Sequence, residues 1–457
     1  MNGMGIKRLA WAVALACAVT LPACSTMGSM AGGGKAPQLV QVSPEQAREQ
    51  MRGAQALMDQ ASGHAESGRA SEAISMYDQV VGLYGTSADP QVRQLVAQSL
   101  FSKALILDRV DNHPAEIKVY QQMVTLFGTA TEPQLQVMAA RAQFNQAITL
   151  GQVGKPNKEI KAYDQLVRQF GNSQVSDVQD MVAQGRFNRA VTFGQLGRSR
   201  DEIKAYNEVL AAYEGHSGSH QQWMYAQSLF NRAVTYGQVN DVNSEMKGYD
   251  DVISRYGTSR DGDYQTLVAR AMFNRAITWG QLQKPQQELE GYEEIVSRFR
   301  TSDVDGVREQ VARAMVNQAI TLGQMNNWKR SIEISENVVR AFGRSEGLPF
   351  QQAVANALVN KGVALSELKK PEEEMRVYDQ VIKRFKDSNE PTLQAAVAKA
   401  MVYKAITLGQ LERPKEELAM YNNVVQQFGD INHPAVREWV MRALQNRSAM
   451  TAQVATG

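Results

Sequence analysis

The amino-acid sequence predicts an all-α fold: an α-solenoid of about nine 43-residue helix-turn-helix repeats, closed by a C-terminal capping helix. Three columns of residues predict it. The stretch from Phe273 to Gln281, FNRAITWGQ, returns as FNQAITLGQ from Phe144, FNRAVTFGQ from Phe187, FNRAVTYGQ from Phe230, VNQAITLGQ from Val316 and VYKAITLGQ from Val402. Looser copies start at Phe101 and Val359, and successive starts are 43 residues apart. A second column keeps the same step through Tyr77, Tyr120, Tyr163, Tyr206, Tyr249, Tyr292, Ser335, Tyr378 and Tyr421. A third is aromatic throughout: Tyr84, Phe127, Phe170, Tyr213, Tyr256, Phe299, Phe342, Phe385 and Phe428. Columns held in register without an insertion mean one supersecondary unit stacked repeatedly.

The N-terminus reads differently. Lys7 and Arg8 form a positive n-region and Leu9 to Leu21 an uncharged apolar run, the pattern of a secretory signal. The run is shorter than the ~20 residues a spanning helix needs. Leu21-Pro22-Ala23-Cys24 resembles the lipobox of bacterial lipoproteins, with Pro22 an unusual occupant. That resemblance implies cleavage after residue 23 and acylation of Cys24, with Ser25 implying an outer-membrane lipoprotein facing the periplasm. The bland alternative is an ordinary cleavable signal beside a chance cysteine. Residues 24–42, with Gly- and Ser-rich Met27 to Pro37, read as a flexible tether, and the solenoid as 43–457 with its cap at 434–457.

Composition narrows the function classes. Cys17 is the only other cysteine and leaves with the signal, so no disulfide is expected. The 49 basic and 47 acidic residues nearly cancel, and losing Lys7 and Arg8 leaves 47 of each. A neutral, mixed-charge chain carries no electrostatic footprint for nucleic acid.

Ser43-Pro44-Glu45-Gln46 starts the first helix, with Ser as N-cap, Pro at the first helical position and Gln completing a capping box. In the repeat from Gly262 to Val304, the first helix is expected from about Tyr264 to Leu282 and the second from about Gln286 to Phe299. Pro156, Pro285, Pro371 and Pro414 mark second-helix starts, and Pro90, Pro133, Pro391 and Pro434 first-helix starts. The glycines after the third column, such as Gly85, Gly128, Gly171, Gly257, Gly343 and Gly429, suggest left-handed caps. Leu289, Tyr292, Ile295, Val296 and Phe299 give the second helix one apolar stripe and a charged outer face. The first helix is apolar around most of its circumference, leaving a narrow polar stripe of Arg270, Asn274, Thr278 and Gln281. That stripe recurs as Arg141, Asn145, Thr149, Gln152; Gln184, Asn188, Thr192, Gln195; Gln227, Asn231, Thr235, Gln238; and Arg313, Asn317, Thr321, Gln324.

Here the residues resemble the tetratricopeptide repeat. Asn274, Ala276, Trp279, Leu289, Tyr292 and Ile295 fall at the spacings of that repeat's Asn, small, aromatic, aliphatic, aromatic and small positions. The resemblance spans residues 43–457 and departs in three ways. The period is 43, Glu288 stands where the second helix would open with a small residue, and Ile295 replaces a small one. The surplus residues are expected in the linker and the start of the first helix. HEAT and armadillo units share this period range; the aromatic and Asn positions favour the tetratricopeptide reading. It implies first helices lining a concave side.

No catalytic, metal or cofactor signature emerges. His216 and His220 lie in a loop without a third ligand in sequence reach, and His113 and His433 precede Pro at helix junctions. Gly32-Gly33-Gly34-Lys35 lacks both the strand and the Ser or Thr of a phosphate loop. Glu293-Glu294 and Glu372-Glu373-Glu374 are expected on the solvated outer face. The polar ladder is the candidate ligand-binding site, although Asn and Thr on packed helices also bond neighbouring repeats. The expectation is a non-catalytic, lipid-anchored envelope scaffold binding a protein or extended peptide, in assembly or secretion. The alternative is a glycan-binding solenoid lipoprotein of polysaccharide export.

Overall fold

The computed structural model describes residues 38–456 apart from Ser217. The signal segment 1–23, Cys24 and the tether to residue 37 lie outside the described residues. Among the described residues all regular structure is helical, save one isolated parallel bridge between Val40 and Ser87. That bridge, with Val40 N–H donating to the Thr86 carbonyl at 2.8 Å, lays residues just before the first helix against the loop ending the first repeat.

Nineteen described helices form two compact units divided after Val239. The first holds α1 (Pro44–Glu66), α2 (Ala70–Tyr84), α3 (Pro90–Arg109), α4 (His113–Phe127), α5 (Pro133–Gln152), α6 (Pro156–Phe170), α7 (Ser176–Gln195), α8 (Ser199–Tyr213) and α9 (Ser219–Gln238). The second holds α10 (Val242–Tyr256), α11 (Gly262–Gln281), α12 (Pro285–Phe299), α13 (Asp305–Gln324), α14 (Trp328–Phe342), α15 (Leu348–Glu367), α16 (Pro371–Phe385), α17 (Pro391–Gln410), α18 (Pro414–Phe428) and α19 (Pro434–Thr456). From α3 to α17 every first helix has 20 residues, and every second helix has 15. The expected starts at Ser43-Pro44 and at the eight prolines all hold, and Ser43 and Gln46 close a capping box.

Within each unit a first helix packs on its own second helix, on the second helix before it and on the next first helix. Among the described residues consecutive first helices pack backbone to backbone whereas consecutive second helices meet only through long side chains, so each stack closes more tightly on its first-helix side. This three-sided packing is why the first helix reads as apolar nearly all round. Two small-residue columns make the approach possible. Ala142, Gly185, Ala271, Ala314, Ala357 and Ala400 sit where a first helix meets the preceding second helix; a Cβ on Gly185 would stand 2.6 Å from Leu166. Ala276 and its equivalents face their own second helix, where Gly291 approaches Ala276. The motif's leading Phe packs on the Tyr of its own second helix, with Phe144–Tyr163, Phe187–Tyr206 and Phe273–Tyr292 centroids 6.0, 5.9 and 5.8 Å apart. Burying a side chain of this size stabilises the stack by about 1.5–3 kcal/mol. In unit two, α19 closes the stack against α17 and α18.

The helix caps correct one expectation. The glycines after the second helices are right-handed, with φ of −61° at Gly85 and −59° at Gly257, and Arg300 and Lys386 adopt the same conformation at −57°. Glycine there makes room rather than a left-handed turn: the Gly257 and Gly343 carbonyls accept hydrogen bonds from Arg298 and Arg384 one repeat on, and a Cβ on Gly257 would stand 2.8 Å from the Arg298 guanidinium. The left-handed residue ends the first helix instead. Gly68, Asp111, Gly154, Gly197, Asn240, Gln283, Asn326, Lys369 and Glu412 stand 43 residues apart with φ from +54° to +74°. Paired bonds such as Lys155 N–H to the Leu150 carbonyl and Gly154 N–H to the Gly151 carbonyl, 2.8 and 3.1 Å, complete a Schellman turn.

Candidate functional site

The polar ladder separates into buried and exposed members. Thr149, Thr192, Thr235, Thr278 and Thr321 are all buried, and each hydroxyl donates to the backbone carbonyl four residues earlier. The same hydroxyl reaches a carboxylate on the preceding second helix: Thr149 to Glu116 at 3.0 Å, Thr278 to Glu245 at 2.9 Å and, two repeats beyond Thr321, Thr407 to Glu374 at 2.8 Å. Asn145, Asn188, Asn231, Asn274 and Asn317 are half-buried, and each amide donates to the preceding repeat's tyrosine Oη at 3.2 to 3.4 Å. Asn and Thr are thus joined to the seam between repeats. Gln152, Gln195, Gln238, Gln281 and Gln324 are exposed, as are Arg141 and Arg313, while Gln184, Gln227 and Arg270 are half-buried.

The seam has a buried acid that sequence reasoning missed. Glu116, Glu159, Glu202, Glu245 and Glu374 open the second helices and are buried, and Tyr292 Oη donates to the equivalent Glu288 at 3.1 Å. The expected solvated run Glu372-Glu373-Glu374 is therefore corrected. Glu372 and Glu373 are exposed, but Glu374 lies on the helix face of Tyr378 and turns into the seam. The glycine of the recurring motif makes room for this carboxylate. A Cβ at Gly151, Gly194, Gly280 or Gly409 would come within 2.6 Å of Glu159, Glu202, Glu288 or Glu417. A glycine followed eight residues later by a glutamate at the repeat step is the signal that could have found the pair.

Burial raises the Glu202 carboxyl to about 7, against hydrogen bonds from Thr235 and Tyr206 that pull it down; Glu245 and Glu374 are raised for the same reason. The phenols of Tyr120, Tyr206, Tyr249, Tyr292 and Tyr378 are held well above their usual range, chiefly by burial and secondarily, for most of them, by the adjacent glutamate. These groups are enclosed and mutually bonded, an arrangement that fixes register rather than presenting a reactive group to a substrate.

In unit two the ladder's leading position continues at the repeat step as Arg270, Arg313, Asn356, Lys399 and Arg442. Burial and then the neighbouring Arg313 lower the Arg270 guanidinium; burial chiefly lowers Lys399, with Arg442 adding and Glu438 opposing. Arg313 lies 4.5 Å from the centre of the Phe273 ring, and Lys399 lies 5.4 Å from that of Trp439, which packs edge-on against Tyr403. Cations beside cations, floored by aromatic rings, leave this face with an excess of positive charge.

Residues 356–388 match the tetratricopeptide repeat family. The match begins inside α15 and ends just past α16, so the early turns of the first helix fall outside it, where the sequence placed the surplus residues. No curated protein matches the chain. Among solved structures it is similar to a tetratricopeptide repeat protein from Parabacteroides merdae (13% identity, TM-score 0.39, covering 68% of this chain and 99% of that one). It is also similar to the apo form of RapI (10%, 0.49, 79% and 99%) and to the apo quorum sensor NprR from B. thuringiensis (11%, 0.42, 84% and 99%). The chain is a helical repeat protein, and one of its repeats matches the tetratricopeptide family.

Proposed function

We propose that this chain is a non-catalytic scaffold of the bacterial envelope that holds a protein partner, or an extended segment of one, on the first-helix face. The observation that carries the reading is the cationic column Arg270, Arg313, Lys399 and Arg442, with Tyr403 and Trp439 among its members. Glu309 beside Arg270 and Glu438 beside Lys399 offset only part of the column's positive charge, which is balanced further when an opposite charge is supplied. An acidic polypeptide supplies it, and the ring faces accept its apolar side chains. The apolar n-terminal run and the lipobox-like Leu21-Pro22-Ala23-Cys24 support attachment through acylated Cys24, with a role in envelope assembly or secretion.

The test is capture from detergent-solubilised membranes by the wild-type chain and by Arg270→Glu/Arg313→Glu/Lys399→Glu. Loss of the captured proteins with helicity unchanged supports the reading. Equal capture by both, or retention on polysaccharide without protein, overturns it; the second result would favour the glycan reading. Mass spectrometry of the N-terminal peptide from wild-type and Cys24→Ser membranes tests the anchor separately.

A further inference from the structure

The second repeat departs from its neighbours at two positions that meet in space. Where Gly151, Gly194, Gly280 and Gly409 sit against the recurring glutamate, this repeat carries Asp108. Where Pro156, Pro285, Pro371 and Pro414 open the second helix, it carries His113. The turn between α3 and α4 brings both to Glu116. His113 Nδ1 lies 3.1 Å from Glu116 Oε2 and 3.9 Å from Asp108 Oδ1, and one donor atom from each residue falls within 4.8 Å of the others.

The geometry points to a divalent transition-metal site, suited to Zn²⁺, formed by Asp108, His113 and Glu116 at the α3–α4 turn. One imidazole nitrogen and two carboxylate oxygens are a ligand set that zinc accepts, with water completing the shell on the side where Asp108 is half exposed. Mg²⁺ and Ca²⁺ prefer oxygen alone. The surroundings fit a bound ion. The Thr149 hydroxyl, shared between the Asn145 carbonyl and Glu116 Oε1 at 3.0 Å from each, fixes the carboxylate and leaves Oε2 turned toward His113. Asp111 Oδ1 stands 4.0 Å from Nε2, on the far side of the ring, where an outer-shell carboxylate orients a metal-bound imidazole.

Charge supplies an independent argument. Three carboxylates surround one histidine, and among the described residues no lysine or arginine forms an ion pair with Asp108, Asp111 or Glu116. Glu116 is almost fully enclosed, with its side chain 4% exposed. A dication between the carboxylates offsets a repulsion that no lysine or arginine answers. Because its ligands come from the end of α3 and the first turn of α4, the ion would clip that hairpin shut. This site is independent of the partner-binding face.

The experiment titrates ZnCl2 into the tag-free, chelator-stripped full chain by calorimetry and follows melting by circular dichroism at 222 nm. Asp108→Gly restores the glycine that other repeats use and is expected to fold like wild type. Wild type is expected to bind one equivalent more than Asp108→Gly or His113→Ala and to melt higher with zinc, while both variants bind at that site at least about tenfold more weakly. His216→Ala/His220→Ala is expected to bind as wild type does. No saturable binding by wild type, equal binding by Asp108→Gly and His113→Ala, loss confined to the His216 and His220 variant, or equal competition by Mg²⁺ would each overturn the assignment.

Discussion

Glu202 makes the stability of the seam depend on pH, in a direction the structure fixes. The folded carboxyl keeps its proton up to about 7, whereas the unfolded group releases it near 4.5. Between those values the native chain binds more protons than the unfolded one. The group's contribution is therefore full below 4.5 and declines as pH rises to about 7. Fully expressed, that difference is about 3 kcal/mol; relaxation of the surroundings around the charged carboxylate reduces it to roughly 1–2 kcal/mol. Glu202→Gln stays neutral throughout and keeps an acceptor for Thr235 and Tyr206. Repeat arrays open in pieces, so the assay is hydrogen exchange of the α8 and α9 amides at pH 5 and pH 8 in both chains. On going from pH 5 to pH 8 the balance is expected to shift by about 1–2 kcal/mol in favour of Glu202→Gln. A wild-type-to-variant difference that stays constant with pH would refute the burial argument.

Other consequences of the seam and caps are equally direct. Gly194→Ala places a methyl 2.5 Å from Glu202 Oε1 and is expected to destabilise by about 1–2 kcal/mol despite its helix propensity, read by urea denaturation. Adding Glu202→Ala should relieve it, since the first repeat already packs Ala65 beside Ala73. Lys369→Gly and Gln283→Gly, at φ of +56° and +58°, are expected to stabilise by about 0.5–1 kcal/mol each, and Gly154→Ala at +70° to destabilise by a similar amount. Tyr206→Phe removes the acceptor of Asn231 and a donor to Glu202, and should cost about 1 kcal/mol in the same denaturation assay.

The fold was legible because its periodic residues are its core. Tyr77, Tyr120 and their successors are buried, and prolines and Ser43 fix helix starts through local chemistry that needs no tertiary context. Cap handedness was not legible from glycine alone. Glycine follows the second helix for clearance, while the left-handed position carries Gln283, Lys369 and Glu412, which look like ordinary surface residues. The ladder was located correctly on the first helix, but whether Asn274 and Thr278 face solvent depends on Tyr249 and Glu245 in the previous repeat. Glu374 and Glu373 are indistinguishable in composition and differ only in which neighbour each faces. His113 gave no metal signal for the same reason: Asp108 and Glu116 join it only when the turn folds.

Site-specific photocrosslinking in membranes tests the central claim most directly. A photoreactive residue at exposed Asn356, between Arg313 and Lys399 in the cationic column, is compared with one at exposed Glu294 on the outer second helix. The account predicts discrete protein adducts from position 356 and none from position 294. Adducts from 294 alone, or from neither position while the partner still co-purifies, would contradict it.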